Sequence, residues 1–569
     1  MSKLKYRWIR RSGIVLVSII LVIVLLSVAF YFLTRIQEPK PAETSVNLLA
    51  VENPGRDYYR IGINRLKKNP DGLWEMYVEG GPYQRGVIAG KLSKQLIEIQ
   101  EQAFIDQIRK MIPSDFYLRF LKYFIGWFNR DLDEYLTDEY KEEIFGISLS
   151  ASPRFSFIGS NYQRMLNYHS AHDIGHALQD FALVGCTSFG VWDSKSKDSS
   201  LIIGRNFDFY VGDKFAENKI VCFEKPDQGY PFMMVTWGGM IGAVSGMNEK
   251  GLTVTINAAK SDIPGSARTP ISIVAREILQ YAQNIGEAWS IAKKRQTFVS
   301  ESILIGSAQD RQAAIIEKSP FKIALVKSSA DYIACANHFQ SPVFVNDPLN
   351  IRNKNENASV YRHKRLIQDI TNSIPMDYKE VANILRDQRG LNDKNIGMGN
   401  EKAMNQLISH HSIIFMPEKL LVWVSTAPWQ LGSYTCYDLG KIFHNFAALR
   451  QDSGLSVKKL MIPSDPFLES DDYKHFVRFK ELRELLKESI KTGRTDTIKS
   501  SFIDELIATN PNFYEAYSLT GDYYMVRKKW EKARKSYLLA LELEVPRWNE
   551  KLTIIKKLTE CSAKIGSRR

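Results

Sequence analysis

The chain has 569 residues, 44% of them hydrophobic and 24% charged, a balance that excludes wholesale disorder and leaves room for more than one domain. Its net charge of +13 is concentrated at the ends, in Lys3, Lys5, Arg7, Arg10 and Arg11, and again in Lys556, Lys557, Lys564, Arg568 and Arg569. Neither cluster interleaves aromatics in a nucleic-acid-binding motif, so no nucleic-acid partner is expected.

Residues 1–12 form the basic end, and the uncharged run 13–34 ("GIVLVSIILVIVLLSVAFYFLT") follows. At 1.5 Å per residue this run crosses a ~30 Å hydrocarbon core, which predicts a transmembrane anchor. The basic stretch before it and the single Arg35 after it predict a cytoplasmic N-terminus and a periplasmic or extracellular body. A cleaved signal peptide is the rival, with Ser27-Val28-Ala29 as its small residues. Such peptides normally carry only ~7–15 apolar residues, which favours a retained anchor. The five cysteines, Cys186, Cys222, Cys335, Cys436 and Cys561, form no CxxC pair and are odd in number. In an oxidising compartment at least one thiol is therefore expected to stay free.

Residues 35–50 read as a linker, with the polar, proline-bearing "EPKPAETSVN" as a tether. Residues 51–185 read as a mainly helical N-terminal segment in which "YVEGGPYQRGVIAGKLSKQLIEIQEQAF" is a glycine turn running into an amphipathic helix. From Thr187 the texture changes to short strands: "SLIIGRNFDF", "NKIVCFEK", "FMMVTWGG", "AVSGMNEKGLTVTINAA". In "MNEKGL" Gly251 suits the positive φ of a hairpin turn. "ISIVAREILQYAQNIGEAWSIAKKR" has helical spacing, and strands return in "ESILIGSAQDRQAAIIEKS", "FKIALVKSS" and "SIIFMPEKLLVWVSTA". Strands in blocks flanked by helices predict an α+β layered core over residues 186–462. The remainder, 463–569, is helical and charged. Within it Tyr517, Gly521, Tyr524, Ala533, Tyr537 and Ala540 stand at about the spacing of one tetratricopeptide repeat. A helical hairpin packed on the main domain explains the same pattern, and both readings stay open.

Cys186, in "LVGCTSFGVWDSKS", lies between a glycine and a threonine. Arg205 and Asp208 follow within one turn of each other in "IIGRNFDFY". Asn257 and Asn337 each end a strand, and Arg362 opens a helix in "SVYRHKRL". Amides at strand ends beside a thiol can donate to an oxyanion. Taken singly, the thiol is a buried hydrophobe, the Arg205–Asp208 pair an ion pair, and the asparagines turn caps. Cys222 and Cys335, inside apolar strands, read as inert core.

Together, Gly-Cys-Thr-Ser, Gly-Arg-Asn-Phe-Asp, Gly-Met-Asn-Glu-Lys-Gly-Leu with its trailing Asn, Ala-Asn-His and Ser-x-x-Arg resemble the N-terminal nucleophile (Ntn) hydrolases. The similarity points to their acyl-CoA:6-aminopenicillanate acyltransferase-like branch, related to choloylglycine hydrolases and acid ceramidase, and covers roughly residues 80–428. It implies a four-layer αββα sandwich and self-cleavage of the Gly185–Cys186 bond. Cys186 would be the nucleophile, and its freed α-amine, with a reference pKa of ~7.7–8.0, would take the thiol proton. It further implies that Arg205 and Asp208 hold the thiolate and amine, that Asn257 and Asn337 bind the oxyanion, and that Arg362 supports the site electrostatically. The reaction implied is hydrolysis or acyl transfer at an amide or related acyl bond through a cysteinyl thioester. The substrate would be a small-molecule acyl-amide or acyl-thioester, with no cofactor and no metal. Two other classes are weighed against it: an inactive scaffold that binds a protein partner through the tetratricopeptide-like tail, and a zinc hydrolase using His169, His172 and His176. For the second, Asp173 stands where the zinc motif needs a glutamate.

Overall fold

The β-rich middle of the chain is built from strands whose residues are buried on both faces. Leu252–Ala258 and Glu301–Ser307 are the clearest case, pairing antiparallel from Leu252 opposite Ser307 to Ala258 opposite Glu301. The computed structural model of the chain describes residues 2–34, 36–111, 114, 123, 125–177, 183–210, 213–262, 264, 267–445, 454–496 and 498–566.

Two sheets stack face to face. Among the described residues the larger has eleven strands, running in spatial order from Glu52–Gly55 through Tyr58–Ile61, Asn64–Lys68 and Trp74–Gly80 to Ile220–Pro226, Phe232–Thr236, Ser245–Asn248 and Leu252–Ala258, and ending at Glu301–Ser307, Gln312–Lys318 and Ile323–Lys327. The smaller has six: Tyr332–Cys335, Thr187–Asp193, Ser199–Phe207, His411–Met416, Leu421–Ser425 and Tyr434–Asp438. Phe223, Met233 and Leu304 from the first meet Ile203, Ile413 and Val424 from the second in the core between them. Helices cover both outer faces. Ile271–Tyr281 and Ile285–Lys294 pack on the larger sheet, and Ser359–Asn372 and Tyr378–Leu385 on the smaller. The chain is thus a mixed α/β sandwich of two sheets flanked by helices. The hairpin expected at Gly251 is present, with φ +70° at that glycine.

The N-terminal segment departs from its expected helical character. Residues 52–80 supply four strands, and the last of them, Trp74–Gly80, runs parallel to Ile220–Pro226. The four strands form an antiparallel meander through short turns, and only the parallel contact of the last one, with a partner this distant in sequence, lacks a local turn signal. The glycine-rich stretch after it does form a helix, Pro82–Leu92, which crosses Asp138–Ser148 so closely that a Cβ on Gly86 would lie 2.1 Å from the Glu143 carbonyl oxygen. Beneath that crossing lies a buried ion network. Arg85 meets Glu143 at 2.7 Å and Glu224 at 3.5 Å, and Arg276 meets Glu224 at 2.6 Å and Glu143 at 3.4 Å. These groups bind the N-terminal segment to the rest of the sandwich, because removing one member would strand an uncompensated buried charge.

The apolar run Gly13–Thr34 lies within the helix Ser2–Thr34 and is exposed along almost all its length. Its Phe30 ring stacks on Trp127 at 6.0 Å. The linker is docked, not free. Ser45–Leu48 forms a helical turn with Val46 buried, and Lys91 Nζ holds the carbonyls of Asn47 and Leu49 at 2.7 and 2.6 Å. The C-terminal part is a bundle of helices, Asp471–Thr492, Ser500–Thr509, Tyr514–Val526, Trp530–Glu542 and Trp548–Gly566, around a core of its own.

Candidate active site

Strand register assembles the site. Thr187–Asp193 pairs with Ser199–Phe207 so that Thr187 faces Asn206 and Ser188 faces Arg205. Cys186, one residue before the first strand, therefore meets Asp208, one residue past the second. On the other edge of Ser199–Phe207, His411 faces Phe207, which brings the residues just before His411 to the same end.

Cys186 is 1% exposed, and its thiol lies 3.9 Å from the Asp208 carbonyl oxygen and 4.0 Å from Arg205 Nη2. The preceding peptide is clamped on both sides. Gly185 N–H donates to the Asp208 carbonyl at 2.8 Å, and the Gly185 carbonyl accepts from Gln406 Nε2 at 2.7 Å. The Asp208 carboxylate accepts from Gln406 Nε2 at 3.3 Å and from the Ser409 hydroxyl. Arg205 is fully buried, donates to Ser245 Oγ and to the Ile256 carbonyl, and lies 4.4 Å over the Phe207 ring. Ser245 Oγ is also 2.9 Å from His411 Nε2.

The two asparagines lie on neighbouring strand ends, with their amides engaged by backbone. Asn257 Nδ2 donates to the carbonyls of Cys335 at 3.3 Å and Ala336 at 3.4 Å, while its Oδ1 accepts from Ser188 Oγ. Asn337 Nδ2 donates to the Ala258 carbonyl at 3.0 Å, and its Oδ1 accepts from Arg362 Nη2. Arg362 Nη1 donates in turn to the Glu401 carbonyl at 2.9 Å. All six residues named from the sequence are buried. They form two adjoining groups: Cys186, Arg205 and Asp208 around the Gly185 peptide, and Asn337 with Arg362 beside it. Asn257 reaches toward them through Ser188. The Arg362 charge acts on both Asp208 and Cys186.

Burial governs the electrostatics. It pushes the Cys186 thiol up to about 11 in spite of the nearby Arg205 guanidinium, with Asp208 and Glu301 adding to the rise. It also pushes the Asp208 carboxyl up to about 7, against the pull of the Ser409 hydrogen bond and the Arg362 and Arg205 charges. In the continuous chain the Cys186 nitrogen is a peptide nitrogen, so no amine is at hand and the thiol is protonated at neutral pH. All five cysteines are free and buried, with Cys222 and Cys335 inside strands as expected.

Gln406, Ser409, Ser245 and His411 were not legible in the sequence. The stretch "NQLISHHS" carries polar residues without a motif, and only the His411–Phe207 register sets it against Asp208. For the histidine cluster, both ring nitrogens of the buried His169 are engaged by backbone, Nδ1 with the Met165 carbonyl at 2.7 Å and Nε2 with the Ile241 N–H at 2.9 Å. That leaves His169 no lone pair for a metal. The side chains of His172 and His176 lie outside the described residues.

The family model described as acyl-coenzyme A:6-aminopenicillanic acid acyl-transferase matches residues 193–425, a stretch that begins just past Cys186 and contains the other five residues. An uncharacterized protein of Archaeoglobus fulgidus is 24% identical over 295 residues, 49% of this chain and 49% of its own length. Protein dcd1B of Dictyostelium discoideum is 21% identical over 263 residues, 43% of this chain and 50% of its own. The chain thus spans about half the length of the curated relatives it matches. Among solved structures, the Caenorhabditis elegans N-acylethanolamine-hydrolyzing acid amidase ortholog is 15% identical with a TM-score of 0.30, over 41% of this chain and 93% of that one. Over residues 193–425 the two-sheet sandwich is thus similar to the acyl-coenzyme A:6-aminopenicillanic acid acyl-transferase family.

Proposed function

We propose that this chain is a self-processing cysteine hydrolase or acyltransferase acting on an amide or related acyl bond of a small molecule. The observation that carries this reading is the setting of the Gly185–Cys186 peptide. A buried thiol, a buried guanidinium and a buried carboxyl surround one clamped peptide bond. Cutting that bond would turn the Cys186 nitrogen into an α-amine of pKa ~7.7–8.0, able to accept the thiol proton near neutral pH. The thiolate would then attack the substrate's acyl carbon. The leaving group takes the proton, and water or an acceptor amine resolves the cysteinyl thioester. Asp208 and Arg205 hold the amine and sulfur in this scheme, Arg362 supplies positive charge, and Asn257 and Asn337 turn their amides to the oxyanion of the external substrate. No cofactor or metal is needed by these steps.

The run 13–34 serves in this reading as a single membrane anchor, with residues 1–12 cytoplasmic and the sandwich periplasmic or extracellular, because the basic residues lie before the run. The C-terminal bundle, with its tetratricopeptide-like spacing, would offer a surface for a protein partner. Intact mass and N-terminal sequencing of the purified protein test the central claim. Scaling 65.2 kDa by chain length, processing without loss of the anchor yields fragments of about 21 and 44 kDa, the larger beginning Cys-Thr-Ser-Phe. They separate only under denaturing conditions, since the strand Trp74–Gly80 lies within the larger sheet. Cys186→Ala stays one chain. A Cys186→Ala chain that is still cut at this bond overturns the proposal.

A further inference from the structure

Gln406 has no counterpart among the residues the sequence singled out, yet its amide contacts the Gly185–Cys186 peptide directly. Its Nε2 is 2.7 Å from the Gly185 carbonyl oxygen and 3.3 Å from Asp208 Oδ2, and the residue is 2% exposed. The fit is tight: a Cβ on residue 185 would lie 2.3 Å from Gln406 Nε2 and 2.4 Å from Oε1. A side chain at residue 185 would thus push the Gln406 amide, the far end of a flexible side chain, off the Gly185 carbonyl. The loop that carries Gln406 is held firmly. Asn405 N–H donates to the Asp387 carbonyl at 2.8 Å, and Leu407 N–H donates to Asn405 Oδ1 at 3.0 Å. Leu407 itself adopts φ +54°, a left-handed conformation that a leucine keeps only where its surroundings impose it. The amides of Asn257 and Asn337, meanwhile, are engaged on strand carbonyls and not on Gly185.

We propose that Gln406 is the oxyanion donor for self-cleavage at Gly185–Cys186, a catalytic residue of processing distinct from the asparagines that would serve an external substrate. The proposal rests on the self-processing reading above. In the step it assists, Cys186 Sγ bonds to the Gly185 carbonyl carbon, the Gly185–Cys186 C–N bond breaks, and the thiol proton ends on the departing Cys186 nitrogen. The Gly185 acyl group is then a thioester on sulfur. Water hydrolyses it, leaving a carboxyl group on Gly185 and restoring the thiol. While sulfur adds, the Gly185 carbonyl oxygen gains negative charge, and a donor already at hydrogen-bond distance in a dry site strengthens its bond without reorganising.

The test uses the full chain as wild type, Cys186→Ala, Gln406→Ala and Gln406→Glu, following the two fragments over time by intact mass. Gln406→Glu keeps the side chain's size and replaces the donor by an acceptor facing the oxyanion. Both Gln406 variants are expected to process roughly 100-fold or more slowly than wild type, while unfolding at the temperature of Cys186→Ala. Processing at the wild-type rate in Gln406→Ala overturns the proposal. So does loss of folding in both variants, which would make Gln406 a packing residue. A wild-type chain that never processes removes the self-processing reading itself, and this inference with it.

Discussion

Arg547, in the loop before the last helix of the C-terminal bundle, donates from Nε to the Glu401 carboxylate at 2.8 Å. The backbone carbonyl of the same Glu401 accepts from Arg362, which holds Asn337. The bundle is thereby tied to the buried cluster through one residue. Around it Lys394 and Lys402 both reach Glu544 at 2.8 Å, and Asn510 brackets the backbone of Met398. The helices that look like an appendage in sequence brace the segment leading to Gln406.

Arg547→Ala should therefore be felt in the site. It removes the ion pair and leaves Glu401 beside Glu550, whose carboxyl burial and the Glu401 charge already push up to about 7. The expected loss of stability is about 1 kcal/mol, in the range of partly exposed ion pairs. A several-fold slowing of processing accompanies it. Unchanged processing with an equally destabilised bundle would mean that the brace does not reach Arg362.

The pH dependence follows from Asp208. Burial raises its carboxyl to about 7, whereas an unfolded aspartate titrates near ~3.9. Between those values the folded chain holds a proton that the unfolded chain has lost, so this group makes stability fall as pH rises through the window. Asp208→Asn abolishes the effect. In the uncleavable Cys186→Ala background, the stability of Asp208→Asn relative to its parent should rise by roughly 2–4 kcal/mol from about pH 4 to about pH 8. Denaturant unfolding at several pH values measures it, and a flat difference would show that Asp208 is ionised throughout.

Thiol reactivity should switch on with processing. In the continuous chain the Cys186 thiol titrates at about 11 and is 1% exposed, so roughly one molecule in a thousand is thiolate at pH 8. Alkylation should leave Cys186 unlabelled in unprocessed Gln406→Ala and label it rapidly in processed wild type, ahead of Cys222 and Cys335. Peptide mass spectrometry reads this directly. Equal labelling before and after cleavage would rule out the freed amine as the activating base.

The anchor should be separable from the chemistry. A chain beginning at Arg35 keeps Ile36, which packs on the larger sheet's core, and the docked Val46, and it loses only the helix that carries the apolar run. It should leave the membrane fraction and still process at Cys186. Trp127 and Tyr123, which pack against Phe30, would then face water. Retention in the membrane fraction would assign a second lipid contact to that face.

Local chemistry alone determined much of this protein. The uncharged run 13–34, the hairpin at Gly251 and the strand and helix texture after Thr187 were readable because each depends on neighbours within a few positions. Burial of Cys222 and Cys335 followed from their apolar strands in the same way. The six candidate site residues, by contrast, stood out only through the resemblance of five motifs in order along the chain. Tertiary structure decided what depends on pairing across the chain. The meander of residues 52–80 joins the larger sheet only through Trp74–Gly80, whose parallel partner lies some 145 residues away. Gln406 and Ser409 meet Gly185 and Asp208 only because His411 is in register with Phe207. The thiol's high pKa arises from burial by a whole sandwich, not from the Gly-Cys-Thr around it. A sequence pattern can name the groups that do chemistry, but register and burial decide which of them touch and in which protonation state they wait.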